Sequence, residues 1–347
     1  MTEHDPLSYD WRKTRVDGNN PADLPFLVSP AFKKLIDLAA SPADREALRK
    51  QVEPSENEHL ISPAETADPL GESRYCITPR LVHQYKNRVL LLVTGQCLGY
   101  CRYCFRRTYT SRSFGFISND ELEKVCGYLE QHPEVREILV SGGDPLSAPY
   151  KQLAGFLEKI REARTDILIR IGTRAPVFAP GLFSRKILSF FRSLRPLWVI
   201  PHINHPAELG EEQRKCLAAI RDSGIPMQSQ TVLLREINDT PEILSSLFHE
   251  LVCLGIKPGY LFQCDLAPGT SHFRVPLEQG INIWKELRQQ LSGLSLPVFA
   301  VDLPDGGGKF PLSVPALSAS VLYDKTGGFL SAAGIDGKVY TYKPDSV

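Results

Sequence analysis

From Arg88 onward the sequence alternates between short apolar runs and longer amphipathic segments, and this alternation most constrains the fold. The runs recur at the spacing of successive strand–helix units. They are nearly continuous in apolar residues, which is typical of a parallel sheet covered by helices. The expected fold class is therefore α/β, and a partial or full (β/α) barrel is favoured over an open doubly wound sheet. The predicted strands are RVLLLVT, EILVSGG, ILIRIGT, LWVIPHIN, MQSQTVLL, GYLFQCD and PVFAVDL.

The flanking regions differ from this central part. Residues 1–80 contain two short helical patterns, SPAFKKLIDLAA and SPADREALRKQV, each opening with a serine that can cap a helix. Residues 311–347 alternate in polarity and turn at KTGG and IDGK, which predicts a β-hairpin. We therefore divide the chain into an N-terminal helical segment (1–80), a core barrel (81–310) and a C-terminal hairpin and tail (311–347).

Composition narrows the classes of partner. The chain has 40 Lys plus Arg and 40 Asp plus Glu, so its net charge is zero and it lacks the basic field typical of nucleic-acid-binding proteins. No apolar run has the length needed to cross a bilayer, and the polar N-terminus has no secretory h-region. We expect a cytoplasmic protein with neither a nucleic-acid nor a membrane partner.

Three of the eight cysteines are clustered in TGQCLGYCRYCFRR, directly after the first central strand. Three thiolates from Cys97, Cys101 and Cys104 suit three irons of a [4Fe–4S] cluster and leave the fourth iron open to a small-molecule ligand. The alternatives are a zinc site completed elsewhere and unliganded thiols. Structural zinc sites usually pair two CxxC units, and no second unit exists here.

A second unusual stretch is AVDLPDGGGKFP, in which Lys309 follows three glycines after the last predicted strand. It does not match the phosphate-binding P-loop. Lys309 is either an exposed loop lysine or a lysine that carries pyridoxal 5′-phosphate (PLP).

The motifs together resemble a known family. CLGYCRYC is similar to the CxxxCxφC signature of the radical S-adenosylmethionine (SAM) superfamily, with Tyr103 as the aromatic residue, and SGGDPL (141–146) is similar to its glycine-rich SAM-contact motif. With HINHP, QTVLLREIND, QCDLAPGTSHFR and VDLPDGGGK, the chain resembles the lysine 2,3-aminomutase family from about Ile61 to Tyr342. The resemblance implies a partial (β/α)6 barrel of the radical SAM type.

The resemblance also implies an activity and three cofactors: a [4Fe–4S] cluster, SAM and PLP. Family members are isomerases that move the α-amino group of L-lysine to the β-carbon. A 5′-deoxyadenosyl radical made from SAM removes a β-hydrogen, and PLP gives the migrating nitrogen a π-bond that accepts the radical. An electron donor such as flavodoxin or ferredoxin and a homo-oligomeric state are expected.

By motif position, each role falls on a residue of this sequence. Lys309 is the catalytic lysine that carries PLP, Arg106 binds the substrate carboxylate, and Asp265 and Asp302 bind the distant ammonium. Taken singly, each aspartate could equally be a helix cap or turn former. The cofactor-binding residues implied are Ser141, Gly142, Gly143, Asp144, Arg174, His202 and Gln230. The resemblance also places Arg170 and Thr173 where the family contacts SAM or PLP, and it places Tyr85 and Arg88, before the cysteine strand, near the PLP.

The sequence departs from the fermentative members of this family. Those members have a C-terminal zinc-binding extension, which this sequence lacks, and Thr240 stands where a further zinc-binding cysteine is expected. The stretch DPLGE resembles a second branch, which makes β-lysine for elongation factor P, although VDLPDGGGK does not follow that branch. The alternatives are an aminomutase for glutamate or ornithine, a radical SAM enzyme without PLP, and a non-catalytic iron–sulfur or zinc-binding module.

Overall fold

The computed structural model of the chain describes residues 24–110 and 115–312, and the backbone of three further strands at 321–324, 329–333 and 339–342. The helices are α1 (Pro30–Asp37), α2 (Pro42–Lys50), α3 (Asn119–Gln131), α4 (Tyr150–Ala163), α5 (Ala175–Phe178), α6 (Arg185–Ser193), α7 (Glu211–Asp222), α8 (Pro241–Cys253) and α9 (Leu277–Gln290). The strands are β1 (Leu81–Tyr85), β2 (Arg88–Thr94), β3 (Glu137–Gly142), β4 (Leu168–Thr173), β5 (Leu197–Pro201), β6 (Gln228–Leu233), β7 (Lys257–Gln263), β8 (Val298–Leu303), β9 (Gly308–Pro311), β10 (Val321–Asp324), β11 (Phe329–Ala333) and β12 (Val339–Tyr342).

The predicted α/β architecture is confirmed. Strands β2 to β5 are parallel neighbours, as are β6 to β8. The two groups are joined between β5 and β6, where Val199 bridges Met227 and His202 bridges Gln230 in parallel register. The parallel strands thus follow chain order from β2 to β8, with helices between them, which is the arrangement of a partial (β/α) barrel.

Apolar burial explains why these segments form strands and helices. On the strands, Leu91, Ile138, Ile169 and Val199 are fully buried. The helices cover the sheet with one apolar face each; for α8 that face is Leu244, Leu247, Phe248 and Leu251. Burying such side chains contributes roughly 1.5–3 kcal/mol each.

The N-terminal helical segment is confirmed where the structure describes it. The hydroxyl of Ser29 accepts from the N–H of Phe32 (3.1 Å), and that of Ser41 accepts from the N–H of Asp44 (3.0 Å). The predicted serine caps therefore begin α1 and α2. Residues 1–23 of that segment lie outside the described residues, and the domain boundaries at 80 and 310 stay predictions.

Three strands were not predicted. β1 pairs antiparallel with β2, and β9 pairs antiparallel with β8, so each edge of the barrel sheet ends in a short hairpin. Near the C-terminus the predicted hairpin is present, and a third strand extends it, giving the antiparallel order β10–β11–β12. Among the described residues, no helix combines the length and apolar character needed to cross a bilayer.

Candidate active site

The three clustered cysteines lie in the loop that follows β2, and each residue is partly buried. Burial raises the pKa of Cys97 well above its ordinary range, and the nearby Cys104 adds to this effect. Burial, followed by the charge of Cys101, raises the pKa of Cys104 to about 11. The three thiols are therefore close enough for their charges to interact.

The donor set is of the type that holds an iron–sulfur cluster. In the described part of the chain, no three His, Cys, Asp or Glu side chains are arranged to hold one metal ion. Cysteine thiolates are the ligands that hold the irons of a [4Fe–4S] cluster. Cys97, Cys101 and Cys104 would be its ligands.

A buried ion-pair group fixes the cysteine loop. Glu58 accepts from Arg102 Nε (2.8 Å) and Nη2 (2.6 Å) and from Arg107 Nη2 (2.5 Å). All three side chains are at most 4% exposed. Burial alone would raise the pKa of Glu58, but the bonds from Arg102 and Arg107 outweigh it and lower the pKa. Removing one member of such a buried pair costs roughly 3–5 kcal/mol.

Arg174 lies directly after β4, and its side chain contacts the cysteine loop. Its Nη1 lies 2.9 Å from Sγ of Cys101, and its Nη2 donates to Gln51 and Glu208, both at 2.8 Å. Burial opposes the charge of Arg174, yet Cys101 and Glu208 hold its pKa well above the ordinary range. A fixed positive charge thus lies against the thiol of Cys101.

The glycine turn after β3 packs against the base of the cysteine loop. A Cβ on Gly142 would lie 2.4 Å from the carbonyl oxygen of Thr94, and one on Gly143 would lie 2.1 Å from that of Gln96. Gly142 also has φ +126°, which disfavours other residues. The close approach seen here is therefore to the chain's own backbone, in addition to any approach to a ligand.

Asp144 completes this turn. Its carboxylate accepts from Thr173 Oγ1 (2.8 and 2.9 Å), from Arg174 N (2.8 Å) and from Leu146 N (3.0 Å). Burial raises the pKa of Asp144, against these bonds. The carboxylate thus fastens the turn to the end of β4, while Ser141 lies partly exposed on β3.

His202 and Gln230 meet at the junction of β5 and β6. Burial and then the charge of Arg174 lower the pKa of His202 to about 4, against a hydrogen bond with Gln230. The imidazole is therefore neutral at pH 7 and is available as a hydrogen-bond partner rather than as a cation.

The β8–β9 hairpin places Lys309 beside Asp302. The two residues are cross-strand partners, and Nζ of Lys309 is 3.0 Å from both carboxylate oxygens. Nζ also lies 4.6 Å from the ring centre of Phe262 on β7. The hydroxyl of Tyr85 accepts from the backbone N–H of Lys309 (2.9 Å), which ties β9 to β1 at the opposite edge of the sheet. The guanidinium of Arg88 covers the ring of Tyr85 at 3.8 Å.

Asp265, two residues after β7, faces the same group of charges. Burial and the nearby Asp302 raise its pKa to about 8, while Lys309 and Arg106 partly offset them. At pH 7 this carboxyl therefore holds its proton in the ligand-free protein. A cation placed between the two aspartates would favour loss of that proton.

Arg106 makes a contact that the sequence did not suggest. Its Nη1 and Nη2 donate to the two carboxylate oxygens of Glu72 at 2.5 and 2.6 Å, and both side chains are nearly buried. Glu72 lies within DPLGE, on a short 3-10 helix before β1. Nothing in its local sequence marks it as a partner of Arg106.

The structure thus brings most of the predicted residues to the carboxyl ends of the parallel strands. Arg106 connects the cysteine loop with the group formed by Asp265, Asp302 and Lys309. It lies two residues after Cys104, and its charge lowers the pKa of Asp265. Arg170 lies elsewhere: it pairs with Glu137 at the start of β3 (3.0 Å). Sequence reasoning missed four supporting residues, which are Gln51, Glu58, Glu72 and Glu208.

Comparisons with known proteins found a matching family model and similar sequences. The family model described as the Radical SAM superfamily matches residues 91–245. The chain is 53% identical over 315 residues to "Putative L-lysine 2,3-aminomutase" of Treponema pallidum, covering 91% of this chain and 88% of that protein. It is 36% identical to L-lysine 2,3-aminomutase of Clostridium subterminale (91% and 74% covered) and 30% identical to glutamate 2,3-aminomutase of Clostridioides difficile (82% and 67% covered).

Proposed function

Because this chain belongs to the lysine 2,3-aminomutase family of radical SAM enzymes, we propose that it is an L-lysine 2,3-aminomutase. Such an isomerase converts L-α-lysine into β-lysine by moving the α-amino group to the neighbouring carbon. The observation that carries the proposal is the group of charges formed by Asp265, Asp302 and Lys309, with Arg106 within electrostatic reach. It offers anions for a distant ammonium and a guanidinium for a carboxylate.

As a radical SAM enzyme, the protein uses SAM and an iron–sulfur cluster. We assign the cluster to Cys97, Cys101 and Cys104, with Arg174 against the thiol of Cys101. Ser141, Gly142, Gly143 and Asp144 form the turn beside these cysteines, and His202, directly after β5, bridges Gln230 on β6. We assign these six residues to the SAM and PLP surroundings.

The proposal includes PLP as a third cofactor, and Lys309 is the residue to which it would be attached. When bound, SAM with the reduced cluster would supply a radical that takes a hydrogen atom, and PLP would give the migrating nitrogen a π-bond that accepts the radical. In the ligand-free protein, Asp302 holds the ammonium of Lys309. Once Lys309 is engaged elsewhere, Asp302 loses this cation and can accept the ammonium of the substrate.

The charges also select the substrate. The ε-ammonium of lysine would lie between Asp265 and Asp302 and would relieve their mutual repulsion. The side-chain carboxylate of glutamate would instead bring a further negative charge to the same two aspartates. The geometry therefore favours lysine over glutamate.

An anaerobic assay tests the proposed function. The protein is reconstituted with iron, sulfide and PLP, given L-lysine, SAM and dithionite, and its products are separated by chromatography. We expect β-lysine from L-lysine and no isomer from L-glutamate. Turnover of glutamate but not lysine would show that the substrate assignment is wrong.

Matched lysine variants test the role of Lys309. Lys309→Ala should abolish β-lysine formation and borohydride trapping of PLP, whereas Lys285→Ala, which changes an exposed lysine on α9, should affect neither. PLP trapped on another lysine would remove Lys309 from its assigned role.

The remaining expectations stay predictions. We propose a flavodoxin or ferredoxin as electron donor, a homo-oligomeric assembly and a cytoplasmic location. The pathway that uses the product, including modification of elongation factor P, is a separate question from the reaction itself.

A further inference from the structure

Glu72 and Arg106 form a buried, two-bond ion pair at the edge of the candidate active site. The two carboxylate oxygens of Glu72 accept from Nη1 and Nη2 of Arg106, and the side chains are 11% and 12% exposed. This contact uses the Nη1–Nη2 edge of the guanidinium. The edge that contains Nε is a second place where a carboxylate can bind with two hydrogen bonds.

The backbone around Glu72 is fixed by contacts on both sides. The carboxylate of Asp68 accepts from the N–H of Glu72 (3.0 Å). Gly71 has φ +65° and packs against the loop between β8 and β9. A Cβ at Gly71 would lie 2.3 Å from the backbone nitrogen of Gly306. The hydroxyl of Tyr75 donates to the carbonyl of Gly306 (3.0 Å). Glu72 is therefore held by a segment that packs against the loop that leads to Lys309.

The surrounding charges favour retention of this pair when substrate binds. Glu72 lies near enough to Asp265 to raise its pKa, and Asp302 does so more strongly. A substrate carboxylate that displaced Glu72 would leave the carboxylate of Glu72 unpaired near Asp265 and Asp302. Breaking a buried pair in this way is strongly unfavourable, whereas binding at the other edge of Arg106 leaves the pair intact.

We propose that Glu72 is a positioning residue, an inference that rests on the proposed function. It stays bound to one edge of Arg106 and presents the Nε edge to the carboxylate of the amino-acid substrate. Glu72 does not touch the substrate in this arrangement, so its effect passes entirely through Arg106. Substrates without a carboxylate should therefore be insensitive to it.

Kinetics of the reconstituted holoenzyme test this proposal. Glu72→Gln should raise the KM for L-lysine about tenfold, because a charge-assisted bond that orients the fork is lost, with little change in kcat. The inhibition constant of 1,5-diaminopentane, which is lysine without its carboxylate, should not change. Glu121→Gln, which removes the partner of Arg80 outside this site, is the matched control.

A double-mutant cycle separates action through Arg106 from other effects. Arg106→Gln should raise the KM strongly, and adding Glu72→Gln should then have little further effect. A lower KM in Glu72→Gln would overturn the proposal, because it would mean that Glu72 competes with the substrate for Arg106. Equal weakening of lysine and diaminopentane would also overturn it and would indicate a structural role.

Failure of the proposed function would give a result that differs from failure of the Glu72 proposal. If the wild-type holoenzyme isomerised another amino acid but not lysine, the substrate assignment would fall. The same comparison, made with that amino acid and its decarboxylated analogue, would still decide the role of Glu72.

Discussion

Replacement of Asp265 by asparagine tests the electrostatics of the site in the ligand-free protein. Burial and the proximity of Asp302 raise the pKa of Asp265 to about 8 from an ordinary value of 3.8. Between these two pH values the folded protein holds a proton that the unfolded chain has lost. The free energy of unfolding should therefore fall as the pH rises from about 4 to about 8.

The magnitude follows from the size of this shift. One pKa unit corresponds to about 1.4 kcal/mol, so the full shift would correspond to about 6 kcal/mol. Asp265 is partly exposed and Lys309 partly compensates its charge, so we expect a measured effect of about 1–3 kcal/mol. Asp265→Asn cannot ionise and should gain this amount relative to the wild type between pH 5.5 and pH 8.5.

Urea denaturation of the reduced, cofactor-free protein at several pH values measures this difference. Asp37→Asn, at an exposed position on α1, controls for the loss of an ordinary carboxyl group. A difference between Asp265→Asn and wild type that does not vary with pH would refute the reasoning, because Asp265 would then be ionised in the folded protein at neutral pH.

Three further variants test the supporting contacts. Glu58→Gln should lower the free energy of unfolding by roughly 3 kcal/mol, since it breaks a buried pair. Because the pKa of Glu58 is lowered in the folded protein, the difference from wild type should become smaller below about pH 4. Arg174→Lys should lower the reduction potential of the reconstituted cluster in an EPR-monitored titration, since a lysine that pairs with Glu208 no longer donates to Cys101; an unchanged potential would remove Arg174 from this role. Gly143→Ala should reduce iron incorporation and the cluster absorption at ~400 nm, because the added Cβ would displace the backbone at the base of the cysteine loop. Normal iron incorporation would contradict this tight packing.

The central strands and helices could be predicted because their signals are local. Continuous apolar runs such as RVLLLVT and amphipathic segments such as PEILSSLFHELVC each carry enough pattern to identify an element. β1 and β9 carry little such pattern, because they are short, half-exposed edge strands with polar residues. Their pairing depends on the neighbouring strand rather than on their own sequence.

The site divides in the same way. The cysteine spacing and the GGGK stretch are contiguous motifs and could be identified directly. The pairing of Arg106 with Glu72 and that of Arg174 with Glu208 join residues 34 positions apart in each case. No local pattern signals such contacts, because they arise only when the strand ends meet.

The position of Lys309 also shows what a motif leaves undetermined. The sequence places it in a loop after glycines, whereas in the structure it lies on β9, opposite Asp302. That register decides which carboxylate holds the ammonium of Lys309 before any cofactor binds.

Isotope transfer from the substrate tests the central claim most directly, because it requires the cysteine loop and the Lys309 region to act on one lysine molecule. The holoenzyme would be given L-lysine deuterated at carbon 3, SAM and dithionite, and 5′-deoxyadenosine would be recovered for mass spectrometry. We predict deuterium in the 5′-deoxyadenosine, together with labelled β-lysine. Cleavage of SAM without deuterium transfer would contradict the account, because the two halves of the site would then not share a substrate.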